Sequence, residues 1–164
     1  NPDATLDEVC ANGGTIWMLD QVEYATNLGF CVRTAEVSGA NAVVITTPQT
    51  NDLRRTATRA SMRADRFIPV IWISAKEALL TFKKHDLKIV VVEDCGQVAP
   101  WDVDLTGDLV MVVGAERHGV STEMLESADE VVRLPMKGFV PSYNLQVALS
   151  AVALESLRQQ SCDD

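Results

Sequence analysis

The sequence predicts an α/β domain in which a mostly parallel sheet carries helices on both faces. Short unbroken runs of apolar, β-branched residues recur along the chain, and segments with helical spacing separate them. Unbroken runs are typical of parallel strands buried on both faces, because a sheet with one wet face alternates apolar and polar residues. The 164 residues suit a single domain, 1–164, and no repeat or linker divides them.

Six of the apolar runs are predicted as strands, because they are short and rich in Val, Ile or Leu. In chain order they are Thr15–Leu19, Ala42–Thr46, Pro69–Ile73, Ile89–Val92, Leu109–Val113 and Val131–Leu134.

Helical segments alternate with these strands. The first places Leu28, Val32 and Ala35 at helical spacing and stops at a glycine, and the third begins at a serine that suits an N-cap. The predicted helices are Thr26–Gly39, Asp52–Met62, Ser74–His85, a short helix opened by Ser121, and Tyr143–Gln160.

Composition excludes several classes of protein. With 47% hydrophobic and 23% charged residues, the chain is not a disordered tail. No apolar run approaches the ~20 residues that span a bilayer, and no signal peptide opens the chain. The four cysteines lack metal-knuckle and CxxC spacing, which favours reduced thiols and a cytoplasmic location, with an organellar one left open. Because the sequence begins at Asn1 rather than Met, we expect a trimmed chain or the C-terminal part of a longer one.

The net charge of −9 argues against a nucleic-acid partner, because phosphate contacts need Lys and Arg. This argument is weakened by a cluster of arginines in one short segment, since a local basic patch on an acidic protein can still bind a phosphate backbone. The candidate RNA contacts are Arg54, Arg55, Arg59 and Arg63. The alternative is a solvated helix face, given the nearby Asp52 and Asp65.

The first segment that could carry chemistry opens a helix. Asn27 and Arg33 lie six residues apart on it, and Gly29 allows another backbone or a substrate to come close. Arg33 is a permanent cation among apolar neighbours, which costs desolvation unless an anion meets it. The alternative from spacing alone is a solvated arginine paired with Glu23 or Glu36.

The second segment, Val112–Ser121, follows a strand, where α/β sheets place ligands. It differs from a phosphate-binding P-loop because Val120 stands where a lysine is required, which excludes ATP or GTP hydrolysis. Glu116 would repel phosphates, so a neutral or cationic adenosine ligand fits better. The alternative is a plain β–α turn with Ser121 as N-cap.

The third segment runs from Leu134 to Ala148. A strand ends at a proline, a loop rich in Gly and Pro follows, and the polar residues Ser142 and Asn144 open a long helix. Polar groups at a helix start can cap it, and they also stand where a ligand would be held.

In this order the three segments resemble the SpoU/TrmH family of RNA 2′-O-ribose methyltransferases, within the SPOUT superfamily. The family's three motifs are similar to Asn27–Arg33, Val113–Gly119 and Leu134–Asn144, and the resemblance covers about Trp17–Leu157. It implies a C-terminal deep trefoil knot, a homodimer and a bound S-adenosylmethionine. The implied cofactor residues are Gly114, Leu134, Met136, Gly138, Ser142, Tyr143 and Leu145.

The resemblance also implies roles in catalysis. Arg33 would bind the phosphate beside the target ribose and help to activate its 2′-OH. The polar residues that would organise this arginine and the ribose are Asn27, Glu116, Ser142 and Asn144. No metal is expected, since a sulfonium is already activated. Tyr143 departs from the Leu or Phe that is common in the family.

The expected reaction is S-adenosylmethionine-dependent methylation of a ribose 2′-OH in structured RNA. A tRNA substrate is favoured over rRNA by the stretches Thr26–Gly29 and Gly138–Ser142. The alternative is a non-catalytic knotted dimer that binds S-adenosylmethionine or a protein partner. The acidity of the chain favours this alternative, and the intact set of polar motif residues opposes it.

Overall fold

The structure, a computed structural model that describes residues 1–162, contains one six-stranded parallel sheet with helices on both faces. The strands are β1 Thr15–Asp20, β2 Ala42–Ile45, β3 Val70–Trp72, β4 Lys88–Val92, β5 Leu109–Gly114 and β6 Glu130–Val132. The helices are α1 Leu6–Asn12, α2 Ala25–Val37, α3 Asn51–Ala60, α4 Ala75–Lys84, α5 Thr122–Glu126 and α6 Leu145–Cys162. The predicted fold class is confirmed.

The strand order is β3-β2-β1-β5-β4-β6, so the two central strands come from opposite halves of the chain. Successive side chains of a strand point to opposite faces, and each face has its own apolar core. On β1, Trp17 packs in the core beneath α2, α3 and α6, whereas Met18 packs in the core beneath α1, α4 and α5. Among residues 1–162, no helix is long and apolar enough to cross a membrane.

Helix α1 was missing from the prediction. Thr5 caps it by accepting from the backbone N–H of Glu8, while the Glu8 carboxylate accepts from the Thr5 N–H at 2.7 Å. This reciprocal capping box is a recognisable sequence signal of a helix start.

The last strand ends earlier than predicted, and the last helix begins later. Strand β6 ends at Val132, and α6 begins at Leu145 rather than at Tyr143. The Tyr143 hydroxyl donates to the carbonyl of Pro135, which holds this residue in the preceding loop and outside the helix. A loop therefore fills the whole stretch between β6 and α6.

The segment that follows β4 wraps around the end of β6. The backbone N–H of Glu93 donates to the Val132 carbonyl at 3.0 Å, and the Arg133 N–H donates to the Val98 carbonyl at 2.8 Å. Gly96 lies so close to Val131 that a side chain would meet its backbone. This close wrapping is compatible with the expected trefoil knot, which stays a prediction.

Gly29 serves the packing of α2 on α3. A Cβ atom at this position would collide with the carbonyl of Ala57 and the methyl of Ala60. The sequence suggested that Gly29 allows either another backbone or a substrate to come close. The structure supports the first, because the near neighbours of Gly29 belong to α3.

Replacing Gly29 with Ala should lower the free energy of unfolding by about 1–3 kcal/mol, because the added methyl forces the two helices apart. Urea denaturation measures the loss. Gly138→Ala is the matched control, since no atom lies within 4 Å of a Cβ built there, and it should change stability by less than about 0.5 kcal/mol. Equal stability of the two variants would contradict the packing role of Gly29.

Candidate active site

A cavity of about 400 Å³ opens at the carboxyl ends of β4 and β5. Parallel α/β sheets bind ligands at this edge, and the volume suits a ligand of nucleoside size. Val92, Val113 and Leu134 supply apolar wall, and charged side chains stand around them. The cavity is thus apolar with a few polar groups, as expected of a small-molecule site.

Five of the seven predicted cofactor residues line this cavity: Gly114, Leu134, Ser142, Tyr143 and Leu145. Met136 and Gly138 do not line it. They lie in the loop between β6 and α6, where Gly138 is exposed. Both residues lie within the stretch that the hydrogen bond from Tyr143 to Pro135 closes into a loop.

The turn after β5 forms the floor of the site. Gly114 allows the turn to close, because a Cβ there would overlap the backbone of Gly119 and Val120. Ala115 and Gly119 exchange two backbone hydrogen bonds, at 2.7 and 3.2 Å. Backbone geometry, rather than a lysine, therefore shapes this turn.

Carboxylates from both neighbouring strands hold the end of this turn. Asp20, fully buried at the end of β1, accepts from the backbone N–H of Ser121 at 2.8 Å and from the Thr46 hydroxyl at 2.8 Å. Glu93, directly after β4, accepts from the backbone N–H of Val120 at 2.8 Å. Ser121 occupies the N-cap position of α5 as the alternative suggested, but its Oγ is buried without a hydrogen-bond partner and only its backbone is held.

The structure brings Asn27 and Glu116 together from distant parts of the chain. The Asn27 side-chain amide donates to a carboxylate oxygen of Glu116 at 2.6 Å. Glu116 lines the main cavity, and both residues line a small adjoining cavity with Arg117 and His118. The first and second predicted motifs therefore meet beside the cavity.

Arg33 and Asn144 do not line the cavity, although both were predicted as site residues. Asn144 directly precedes α6, and its carbonyl accepts from the N–H groups of Val147 and Ala148. Its side chain is exposed and makes no hydrogen bond among the described residues, and the same holds for Ser142.

The premise that Arg33 is embedded among apolar groups is wrong. The side chain is exposed, because it lies on a face of α2 that points away from the buried Leu28, Val32 and Ala35. Neither of the alternative ion pairs, with Glu23 or Glu36, forms within residues 1–162. Arg33 is therefore a solvent-facing cation on its own chain.

The predicted RNA contacts lie on and after α3. Arg54, Arg55 and Arg59 are exposed on this helix, and Arg63 follows it. Arg63 contacts Asp65 at 3.4 Å, as the solvated-face alternative suggested. None of the four lines the main cavity.

Several cavity residues were not predicted as site residues: Glu93, Asp94 and Cys95, and, within the second segment, Arg117 and His118. The first three directly follow β4. Their position at a strand end next to β5 was the signal that could have identified them.

A family model described as the SpoU rRNA Methylase family matches residues 14–154. The chain belongs to this family. It is 34% identical over 143 residues to the 23S rRNA (guanosine-2′-O-)-methyltransferase RlmB of Burkholderia sp, covering 87% of this chain and 58% of that protein. The protein of the same name from Haemophilus influenzae is 32% identical over 159 residues, covering 94% and 65%.

A solved methyltransferase has the same fold. The AdoMet-bound rRNA methyltransferase from Sinorhizobium meliloti superposes with a TM-score of 0.82 and 25% identity. The match covers 94% of this chain and 60% of that one. The present SpoU-family chain thus spans about three fifths of the length of the curated relatives it matches.

Two of the four thiols should react in the native protein. Burial, helped by the charge of Asp7, raises the pKa of Cys10 to about 11, and burial, helped by Glu116, raises that of Cys31 to about 12. Cys95 and Cys162 are exposed. Titration with a chromogenic disulfide at pH 8 should give two rapid thiols, and four after unfolding, because the thiolate is the reactive form.

Cys95→Ser is the control for this assignment, and it should leave a single rapid thiol. A native count of three or four would show that a buried cysteine is accessible.

Proposed function

We propose that this protein transfers a methyl group from S-adenosylmethionine to a ribose 2′-OH of ribosomal RNA. The main support is that parts of all three motif segments meet at one cavity. Gly114 and Glu116 come from the second segment and Leu134 from the third, and Asn27 of the first segment bonds to Glu116. The interpretation of the chain as a single methyltransferase domain belongs to the same proposal.

The cavity residues fit an adenosyl ligand. Backbone groups around Gly114 and Leu134 can meet the adenine edge, and the apolar wall can take its faces. The bound sulfonium supplies an already activated methyl group. Among residues 1–162, no group of three metal-ligating side chains comes together, and we propose that the reaction proceeds without a metal.

The polar residues of the site would act by positioning. The bond between Asn27 and Glu116 fixes the Glu116 carboxylate at the cavity mouth. Ser142 stands on the facing loop and Asn144 just beyond it, both exposed to an incoming substrate. Holding a hydroxyl in line with a methyl carbon accounts for a large part of such catalysis.

We favour rRNA, whereas the sequence motifs had favoured tRNA. The curated relatives named above methylate 23S rRNA according to their names, and they cover most of this chain. The preference for tRNA gains no comparable support from them. We propose that the exposed arginines Arg54, Arg55, Arg59 and Arg63 contact the RNA backbone.

We also propose a homodimer. On α2, the exposed residues Phe30, Arg33 and Val37 form one stripe, because they recur at helical spacing. On α6, which packs against α2, Val147 and Leu154 form a similar stripe. Phe30 is 41%, Val37 75% and Leu154 61% exposed, and such a patch marks an association surface.

Dimerisation would explain how Arg33 can take part in the site. On its own chain this guanidinium stands in the apolar stripe and away from the cavity. A second copy covering the stripe would place Arg33 in the interface, and we propose that Arg33 reaches the partner's cavity from there. We propose that it there binds the phosphate next to the target ribose. A non-catalytic dimer would not need the bond between Asn27 and Glu116 at the cavity mouth.

Arg33→Ala should lower methyl transfer to 23S rRNA fragments about a hundred- to a thousandfold, since it removes one charge contact worth ~3–4 kcal/mol in the transition state. Transfer is measured with labelled S-adenosylmethionine in EDTA, with bulk tRNA as the competing substrate. Binding of S-adenosylhomocysteine, followed by calorimetry, should not change. Arg66→Ala, another exposed arginine, is the matched control.

A near-parental rate for Arg33→Ala would contradict its role. A parent protein that binds the ligand and transfers no methyl group to either RNA would favour the non-catalytic alternative.

Light scattering at micromolar concentration should give twice the mass of one chain. Leu154→Glu should give the single-chain mass, because a charge in the apolar stripe cannot be buried without a partner. Phe67→Glu is the control, since Phe67 is 68% exposed and belongs to neither helix. A parent protein of single-chain mass would contradict the dimer.

A further inference from the structure

Glu93 lines the cavity and lies outside the three motif segments. Its carboxylate is held in place by its neighbours. It directly follows β4, and one carboxylate oxygen, Oε1, accepts from the backbone N–H of Val120 at 2.8 Å. Gly119 has a φ of +65°, and a Cβ there would collide with the same oxygen. The glycine and the backbone amide together fix where this carboxylate stands.

The other oxygen of Glu93, Oε2, takes part in no hydrogen bond within residues 1–162. The residue lines the cavity, and Oε2 is not among the buried unpartnered atoms. A carboxylate held by one oxygen and open at the other can accept from a ligand donor.

Asp20 shows the contrasting case on the other side of the same turn. Both of its oxygens are engaged, by Ser121 and Thr46, and the side chain is fully buried. Asp20 is therefore committed to holding the turn, whereas Glu93 holds the turn and keeps an acceptor for the cavity.

An adenosyl ligand offers a vicinal diol, an adenine amine and an ammonium as donors. Dinucleotide-binding sheets hold ribose with a carboxylate at a strand end, close to a glycine-rich turn that follows another strand. Here the turn Gly114–Gly119 follows β5, and Glu93 follows β4, which is paired with β5. The diol is the donor that this arrangement suits.

We propose that Glu93 accepts hydrogen bonds from the ribose hydroxyls of the adenosyl ligand, and so selects ribonucleosides over deoxyribonucleosides in this cavity. The inference rests on the proposed function for its ligand. It assigns a specificity-determining contact to a residue outside the three motifs.

Calorimetry with 5′-methylthioadenosine and its 2′,3′-dideoxy counterpart tests the contact. The change of ligand is combined with a change of the protein, as in a double-mutant cycle. The parent protein should bind the dideoxy ligand about tenfold or more weakly, as expected for loss of hydrogen bonds to a charged group. Glu93→Gln keeps an oxygen for the Val120 amide and loses the charge. It should bind 5′-methylthioadenosine about tenfold more weakly than the parent and discriminate between the two ligands less than about twofold.

Asp20→Asn is the control, because it alters the same turn from the side away from the free acceptor. It should lower the melting temperature and weaken the binding of both ligands by the same factor, so that the parental discrimination between them is kept. Circular dichroism of all variants establishes that they are folded.

Undiminished discrimination in Glu93→Gln would overturn the inference and leave the proposed function standing. The inference would also be overturned if Glu93→Gln lost only the tighter binding of S-adenosylhomocysteine relative to 5′-methylthioadenosine. That result would assign Glu93 to the ammonium group. A parent protein that binds none of these ligands would overturn the proposed function together with the inference.

Discussion

A buried carboxylate at the end of the central strand is the constraint on which the candidate site depends. Asp20 has no exposure to solvent, and an ionised group in that position is costly unless hydrogen bonds satisfy it. Thr46 from the loop after β2 and Ser121 from the start of α5 satisfy it. One side chain therefore ties the ends of three elements together at the edge where the cavity opens.

This constraint explains why so little of the cavity floor depends on side chains. The turn after β5 is closed by glycines and held through its backbone amides, so its shape follows from the strands on either side. A site built in this way presents peptide groups at fixed positions, and it leaves the few charged side chains free for tasks that need charge.

The sheet could be predicted from the sequence because its signals are local. Unbroken apolar runs mark strands wherever they occur, and only the ends of elements were misplaced by one or two residues. Helix α1 was missed although the Thr5–Glu8 capping box was present in the sequence. The loop that precedes α6 was misjudged because the bond from Tyr143 to Pro135 joins residues on either side of a turn.

The site could be predicted only in part, because its contacts depend on which strands become neighbours. No spacing rule relates Asn27 to Glu116, and only the resemblance to a family placed them together. Glu93 looks like an ordinary loop glutamate until β4 is known to pair with β5. Arg33 shows the opposite error, since its apolar sequence neighbours suggested burial while the helix turns it toward solvent.

The strand order also determines when the cavity can exist during folding. Strands β1, β2 and β3 pair with near neighbours in sequence, whereas the pairing of Thr15 with Leu109 must close most of the chain into a loop. Non-local pairings of this kind form slowly. The cavity has no floor until β5 inserts between β1 and β4, so a ligand of this site can stabilise only the completed sheet and not its earlier half.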